Sequence, residues 1–182
     1  MIDKQKEVLT PLFSKEMIEK RIRELASDIN LNFADKNPIF IGVLNGGFIF
    51  LSDLIREMKI ECELDFIKIN SYEGKKSTGQ VENIIYNTTN IENRHLIIVE
   101  DIIDTGFTIN FLLNFFKIRK PASISIVTLL HKPESLKINL TIDYIGFEIS
   151  PSFVVGYGLD YNQKFRNLDS IYILKTLRKK NN

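Results

Sequence analysis

Leu96-Ile97-Ile98-Val99-Glu100-Asp101-Ile102-Ile103-Asp104-Thr105-Gly106-Phe107-Thr108 runs from a continuous apolar string into three carboxylates, two hydroxyls and a glycine. Leu96 to Val99 reads as a strand buried on both faces, and Ile109 to Ile118 reads as a helix. The acids therefore fall where a buried strand ends. In open α/β sheets ligands bind at the carboxyl ends of strands, and a helix N-terminus offers unpaired amides and partial positive charge to an anion. Adjacent strand residues point to opposite faces, so Glu100 and Asp101 reach one ligand only where the chain leaves the extended state.

Outward from this stretch, strand and helix patterns alternate. Ile18, Ile22, Leu25 and Ile29 share one helical face, with Ser14 as N-cap and the Asn-rich Asn30 to Asn37 as exit. Pro38 precedes the buried strand Ile39 to Leu44, and Asn45-Gly46-Gly47 turns into a helix from Phe48 to Met58. Leu64 to Ile69 and Val81 to Tyr86 are further strands, separated by the polar, glycine-bearing Asn70 to Gln80, which reads as a surface loop. Ser123 to Leu130, Ile142 to Phe147, Phe153 to Tyr157 and Ile171 to Leu174 complete the strands. This order predicts an α/β fold: a parallel, doubly wound sheet with flanking helices, plus a smaller cap from the later strands. No internal repeat, low-complexity region or linker divides the 182 residues, which suit a single domain.

Composition excludes several classes. A hydrophobic share of 44% with 26% charged residues is ordinary for a globular protein, and the net charge of +1 argues against a nucleic-acid partner. The basic Lys175 to Lys180 segment reads as a solvated tail. Cys62 is alone in an acidic setting that raises a thiol pKa, so it is neither half of an internal disulfide nor a nucleophile. His95 and His131 belong to no cluster with zinc spacing. No secretory signal or membrane-spanning run is read, which predicts a cytoplasmic protein without a membrane partner.

Leu44-Asn45-Gly46-Gly47 and Asp104 to Thr108 each join a buried strand to a helix, so both open on the same sheet edge. Read alone, the Gly-Gly loop is as readily a plain turn as an anion site. The second loop is harder to dismiss, because its acids repel one another unless a cation or a polyhydroxyl ligand is present. A sugar phosphate meets both demands: hydroxyls donate to Glu100 and Asp101 while the phosphate lies on the turn.

The segment from Val99 to Thr108 resembles the phosphoribosyl diphosphate signature of the type I phosphoribosyltransferases, and four further segments in register are similar to the hypoxanthine-guanine branch. Leu44 to Gly47 resembles the pyrophosphate loop, and Ser71-Tyr72 with Ser77-Thr78-Gly79 resembles the mobile catalytic loop. Leu129 to Pro133 is similar to the segment bearing the purine-reading lysine, and Phe153 to Tyr161 to the base-binding hood. The resemblance covers about residues 39 to 174. It implies a core of about 36–150 and a hood of about 151–182 joined by the N-terminal segment. It further implies transfer of 5-phosphoribosyl from 5-phosphoribosyl 1-diphosphate to hypoxanthine or guanine, in purine salvage, giving IMP or GMP and pyrophosphate.

By the same matching, Glu100 and Asp101 hold the ribose, and Asp104, Thr105, Gly106, Phe107 and Thr108 bind the 5′-phosphate. Leu44, Asn45, Gly46 and Arg166 take pyrophosphate, while Lys132, Phe153, Val154 and Asp160 serve the purine. Ser71 and Tyr72 form the lid. Magnesium is the implied cofactor, with Asp160 as direct ligand and Glu100 and Asp101 on its ribose side. Asp104 matches the proposed general base near purine N7; an Asp there also suits a helix N-cap. Lys132 donates to O6, which disfavours adenine.

Two departures stand out. Asn45 replaces the Lys or Arg common in relatives, and no arginine follows Lys132-Pro133. The Leu44-Asn45 bond is cis in some relatives. Relatives form dimers or tetramers, so a homodimer or homotetramer is implied. A xanthine-preferring enzyme, a nucleotide- or RNA-binding regulator on the same fold, and a response-regulator-like domain are the rival readings. The near-neutral charge and Asp104 oppose the regulator, and the threonine-rich anion loop opposes the last.

Overall fold

A strand buried on both faces requires helices on both sides of its sheet, and two helix-bearing crossovers supply them. The computed structural model describes residues 6–71, 81–86 and 90–177. In chain order these form β1 (Lys6–Phe13), α1 (Lys15–Asn32), β2 (Ile39–Leu44), α2 (Phe48–Arg56), β3 (Glu63–Ser71) and β4 (Val81–Tyr86). There follow β5 (His95–Ile103), α3 (Phe107–Lys117), β6 (Ser123–His131), β7 (Tyr144–Glu148), β8 (Val154–Val155) and β9 (Ile171–Leu177). Six strands make one sheet in the order β4-β3-β2-β5-β6-β7, parallel except for β4, which runs antiparallel to β3. The expected doubly wound sheet is present.

The two crossovers leave the sheet centre in opposite directions. From β2 the chain passes through α2 to β3, and from its neighbour β5 it passes through α3 to β6. Parallel crossovers share one hand, so opposite directions put the helices on opposite faces. Packing agrees. Phe50, Leu51 and Leu54 of α2 join α1 against Phe40, Ile97, Val99 and Val127, whereas Ile109, Leu112 and Phe116 of α3 cover Ile39, Ile41, Leu96 and Ile98. The strand order reverses between β2 and β5, and the crevice at their carboxyl ends is the ligand position of such sheets.

Helix α1 starts as its sequence predicts: the Ser14 hydroxyl accepts from the Met17 amide at 3.4 Å, and Ile18, Ile22, Leu25 and Ile29 are buried. Arg21 donates from Nε to the Gly146 carbonyl at 2.8 Å and from a terminal nitrogen to the Ile145 carbonyl at 2.9 Å, tying α1 to β7. A second, antiparallel sheet of order β1-β9-β8 stands beside the first. Its Val154 and Ile171 enter the same apolar cluster as α1 and α2.

Strand β1 has no counterpart in the sequence reading, and of the boundaries that differ three have a local cause. Strand β5 continues through the acids to Ile103, but its pairing with β2 ends at Gly42 and Val99, leaving only β6 alongside. The stretch from Phe153 to Tyr157 contributes only two strand residues, because Gly156, Tyr157 and Gly158 all adopt positive φ (97°, 51° and 96°) and curl the chain out of the sheet. The strand expected from Ile142 starts at Tyr144. There the Asp143 carboxylate accepts from the Ile126 amide, replacing a ladder bond.

Candidate active site

The anion turn is built by Gly106, which occupies the N-cap of α3 with φ 84°. A Cβ there would lie 2.9 Å from both Leu136 and Ile138 side chains, so glycine is required by backbone and space together. No side chain caps α3, Asp104 included; the first-turn amides keep their donors for an external acceptor. A cleft of about 90 Å³ lies against Glu100, Asp104, Thr105, Gly106 and Thr108. It is phosphate-sized.

Glu100 and Asp101 are both buried, although they are neighbours on one strand. Burial raises both pKa values, and Glu100 rises well above the usual carboxylate range because the Asp101 charge adds to the desolvation. Asp101 is raised against opposition from the Glu100 hydrogen bond, the Ile102 amide and the Arg166 guanidinium. The chain does not leave the extended state here: β5 runs on through both acids in register with β6, and the Asp101 Oδ1 turns back to accept from Ile102 N at 2.9 Å.

The Leu44-Asn45 peptide is cis. The loop closes with Gly47 N donating to the Val43 carbonyl at 3.1 Å, and it lies directly over Asp101: a side chain at Gly46 would occupy the space of the Asp101 carboxylate. From the hood side, Gly158 approaches the Gly46 carbonyl so closely that a Cβ would collide with it. Beyond Gly158, Arg166 donates to the Gly158 carbonyl at 2.7 Å and pairs with Asp160 Oδ1 at 2.6 Å, while Asp160 Oδ2 accepts from Gln163 N at 2.8 Å.

Across the cleft, Lys132 Nζ pairs with Asp104 Oδ2 at 2.8 Å. The lysine side chain is 10% exposed and the aspartate 47%, so the acid faces the opening and the ammonium lies beneath it. Lys132 is held there by its own amide, which donates to the Ile103 carbonyl at 2.9 Å. Phe153 stands 52% exposed with its ring edge-on to Tyr161, centroids 5.6 Å apart. Val154 is buried. Of the lid, Ser71 is the last residue of β3, and Tyr72 and residues 77–79 lie outside the described residues.

The carboxyl edge of β2 and β5 thus brings together the turn at residues 104–108, the Glu100–Asp101 pair, the loop at residues 44–47 and the loop bearing Asp160 and Arg166. Two contributors escaped the sequence reading. Tyr157 and Asp53 form a 2.5 Å hydrogen bond across 104 residues of chain. A lone acid on an otherwise apolar helix face and a tyrosine between two glycines were the available signals.

A parallel sheet with an uncapped helix N-terminus at its switch point, acids beside it and a second loop alongside defines an enzyme for a phosphorylated sugar. The family model of the phosphoribosyl transferase domain matches residues 10–162. The hypoxanthine-guanine phosphoribosyltransferase of Bacillus subtilis is 43% identical over 165 residues, covering 90% of this chain and 92% of that protein. The hypoxanthine-guanine-xanthine phosphoribosyltransferase of Tritrichomonas foetus is 45% identical over 165 residues, covering 90% of each. A crystal structure of a hypoxanthine phosphoribosyltransferase from Staphylococcus aureus superposes with a TM-score of 0.87 at 38% identity, covering 91% of each chain. The chain belongs to the phosphoribosyltransferase family, in its hypoxanthine-guanine branch.

Proposed function

We propose that the protein transfers the phosphoribosyl group of 5-phosphoribosyl 1-diphosphate to N9 of hypoxanthine or guanine, releasing pyrophosphate, as a purine-salvage enzyme of the cytoplasm. The Lys132–Asp104 pair at 2.8 Å carries this reading. It sets a cationic donor and an anionic acceptor side by side, next to the phosphate turn. A 6-oxopurine protonated at N7 offers the complementary edge, O6 as acceptor and N7–H as donor. Adenine turns an amino group toward the lysine, donor against donor, and leaves both unpaired.

In this mechanism N9 attacks C1 of the ribose as the C1–oxygen bond to pyrophosphate breaks, and the N7 proton passes to the Asp104 carboxylate. Positive charge develops at C1, as in glycoside chemistry. The amides of Gly106 to Thr108, with the Thr105 and Thr108 hydroxyls, hold the 5′-phosphate; Glu100 and Asp101 accept from ribose hydroxyls. Leu44, Asn45 and Gly46 present backbone to the pyrophosphate, and Arg166 exchanges Asp160 for it. Phe153 stacks on the purine, Val154 reads its edge, and Asp160 closes that side. Ser71 and Tyr72 form the lid.

The donor set suits magnesium. Two buried carboxyl groups on adjacent residues favour a cation, and all the candidate ligands are hard oxygens. That is the pattern for a cation whose shell is completed by substrate oxygens and water. Asp160, with Glu100 and Asp101 on the ribose side, would hold it. Bound magnesium supplies positive charge to the departing pyrophosphate.

A base panel tests the reading. With magnesium and 5-phosphoribosyl 1-diphosphate, hypoxanthine and guanine form nucleotide and adenine forms little. Turnover of adenine alone, or of no base, overturns it. Xanthine belongs in the panel, because the Tritrichomonas relative that is 45% identical carries xanthine in its name; a preference for it would select that second reading. Among the described residues no helix is long and apolar enough to cross a membrane, and small molecules are the partners proposed.

A further inference from the structure

Loop 156–168 is internally closed. Tyr157 N donates to the Leu168 carbonyl at 2.8 Å, Gly158 N to Arg166 at 3.0 Å, and Tyr161 N to Lys164 at 3.1 Å. With Arg166 clamped on both Gly158 and Asp160, the loop is braced as a unit. Three contacts attach it to the sheet body. Gly158 rests on the Gly46 carbonyl, Leu159 is buried in the apolar cluster of α1 and α2, and Tyr157 reaches through to α2, where its hydroxyl donates to Asp53 Oδ2 at 2.5 Å. Asp53 Oδ1 faces Arg56 at 3.6 Å, and Glu19 of α1 adds its field to the tyrosine. Burial and the Asp53 carboxylate push the Tyr157 phenol far upward, so it remains a donor throughout the working range.

We propose that the Tyr157–Asp53 hydrogen bond fastens loop 156–168 onto loop 44–47, making both positioning residues for the pyrophosphate half of the site. The inference rests on the phosphoribosyl transfer proposed above. The purine half has a separate support: Val154 pairs with Ile173 of β9, and the Phe153 carbonyl accepts from Leu174 N at 2.9 Å. Loss of the fastener therefore separates the two substrates kinetically.

In Tyr157→Phe the ring stays and the hydroxyl goes. The KM for 5-phosphoribosyl 1-diphosphate, and the inhibition constant of pyrophosphate, rise about tenfold, the scale of one hydrogen bond to a charged group. The KM for hypoxanthine rises much less, because Phe153 and Val154 keep their backbone support on β9 and only Asp160 of the purine residues lies in the loop, and kcat at saturation of both is retained. Asp53→Ala reproduces this, Asp53→Asn, which keeps an acceptor oxygen, recovers part of it, and Tyr157→Phe with Asp53→Ala is no worse than either alone. A lowered Tm with both KM values unchanged, or additive losses in the double variant, overturns the proposal. Amide exchange supplies a readout independent of activity: Tyr157→Phe accelerates exchange at Tyr157, Gly158 and Tyr161 while α3 is unaffected. Unchanged exchange at those amides also overturns it. If the unsubstituted protein transfers no phosphoribosyl group, the functional reading falls, and the exchange result still decides the fastener.

Discussion

Glu100 and Asp101 show how a site residue works against the fold that holds it. Both acids titrate higher in the folded protein than in an unfolded chain, so above the ordinary carboxylate range, near pH 4, the folded state binds more protons. Their contribution to stability is therefore greatest at low pH and declines as pH rises through the raised values. Glu100→Gln cannot ionise. Its Tm relative to the unsubstituted, ligand-free protein should increase steadily between about pH 4 and pH 7, whereas a constant offset would show that Glu100 titrates no higher than an ordinary carboxyl. The same variant should bind 5-phosphoribosyl 1-diphosphate less well, because an amide is a weaker acceptor for ribose hydroxyls. At the opposite wall, Asp104→Asn should lower kcat by about a hundredfold or more while leaving 5-phosphoribosyl 1-diphosphate binding nearly intact. Equal activity in single-turnover assays would remove the base role. Lys132→Ala should raise the KM for hypoxanthine by roughly ten- to a hundredfold, the worth of a charged hydrogen bond of about 1.5–3 kcal/mol. Comparing its hypoxanthine and adenine rates checks whether discrimination falls in parallel.

Elements were legible where one physical signal dominated. The apolar string from Leu96 to Val99 could only be a strand covered on both faces, and Ser14 with the Ile18, Ile22, Leu25 and Ile29 stripe could only be a capped amphipathic helix. The turn at Gly106 was legible for the same reason. What escaped was contact between distant segments: nothing local says that Lys132 folds back on Asp104, or that Tyr157 finds Asp53. Such pairs depend on strand register and helix azimuth. Phe153 to Tyr157 misled because its apolar side chains read as a strand, while its glycines and a left-handed tyrosine bend the backbone away. Glycines at the loop junction carry the clearest element-scale expectation. Gly158→Ala adds a methyl against the Gly46 carbonyl at a positive φ and should cost about 1–3 kcal/mol in urea unfolding. The KM for 5-phosphoribosyl 1-diphosphate should rise with it.

Across the whole molecule, the reversal of strand order between β2 and β5 sets the two loops at one edge and sends their helices to opposite faces. Chemistry sits at the edge, and stability resides in the two faces. One flank of α2 and β3 retains apolar surface: Phe48, Leu64 and Phe66 are 43%, 48% and 40% exposed around a groove that also includes Leu51 and Ile55. Such a contiguous patch is a candidate seat for a second copy of the chain. Phe66→Glu should shift the protein toward monomer in sedimentation velocity, and an unchanged profile would place the interface elsewhere.

The pairing of β1 with β9 sets residue 6 opposite residue 177. On a ribosome, β1 must wait for β9 before it has this partner. The turn at Gly106 needs only Leu136 and Ile138 beyond β6 to close around it, so its residues are all made well before β9. A nascent chain stalled before Ile171 thus already carries Lys132 and Asp104, yet lacks the strand against which Val154 is held.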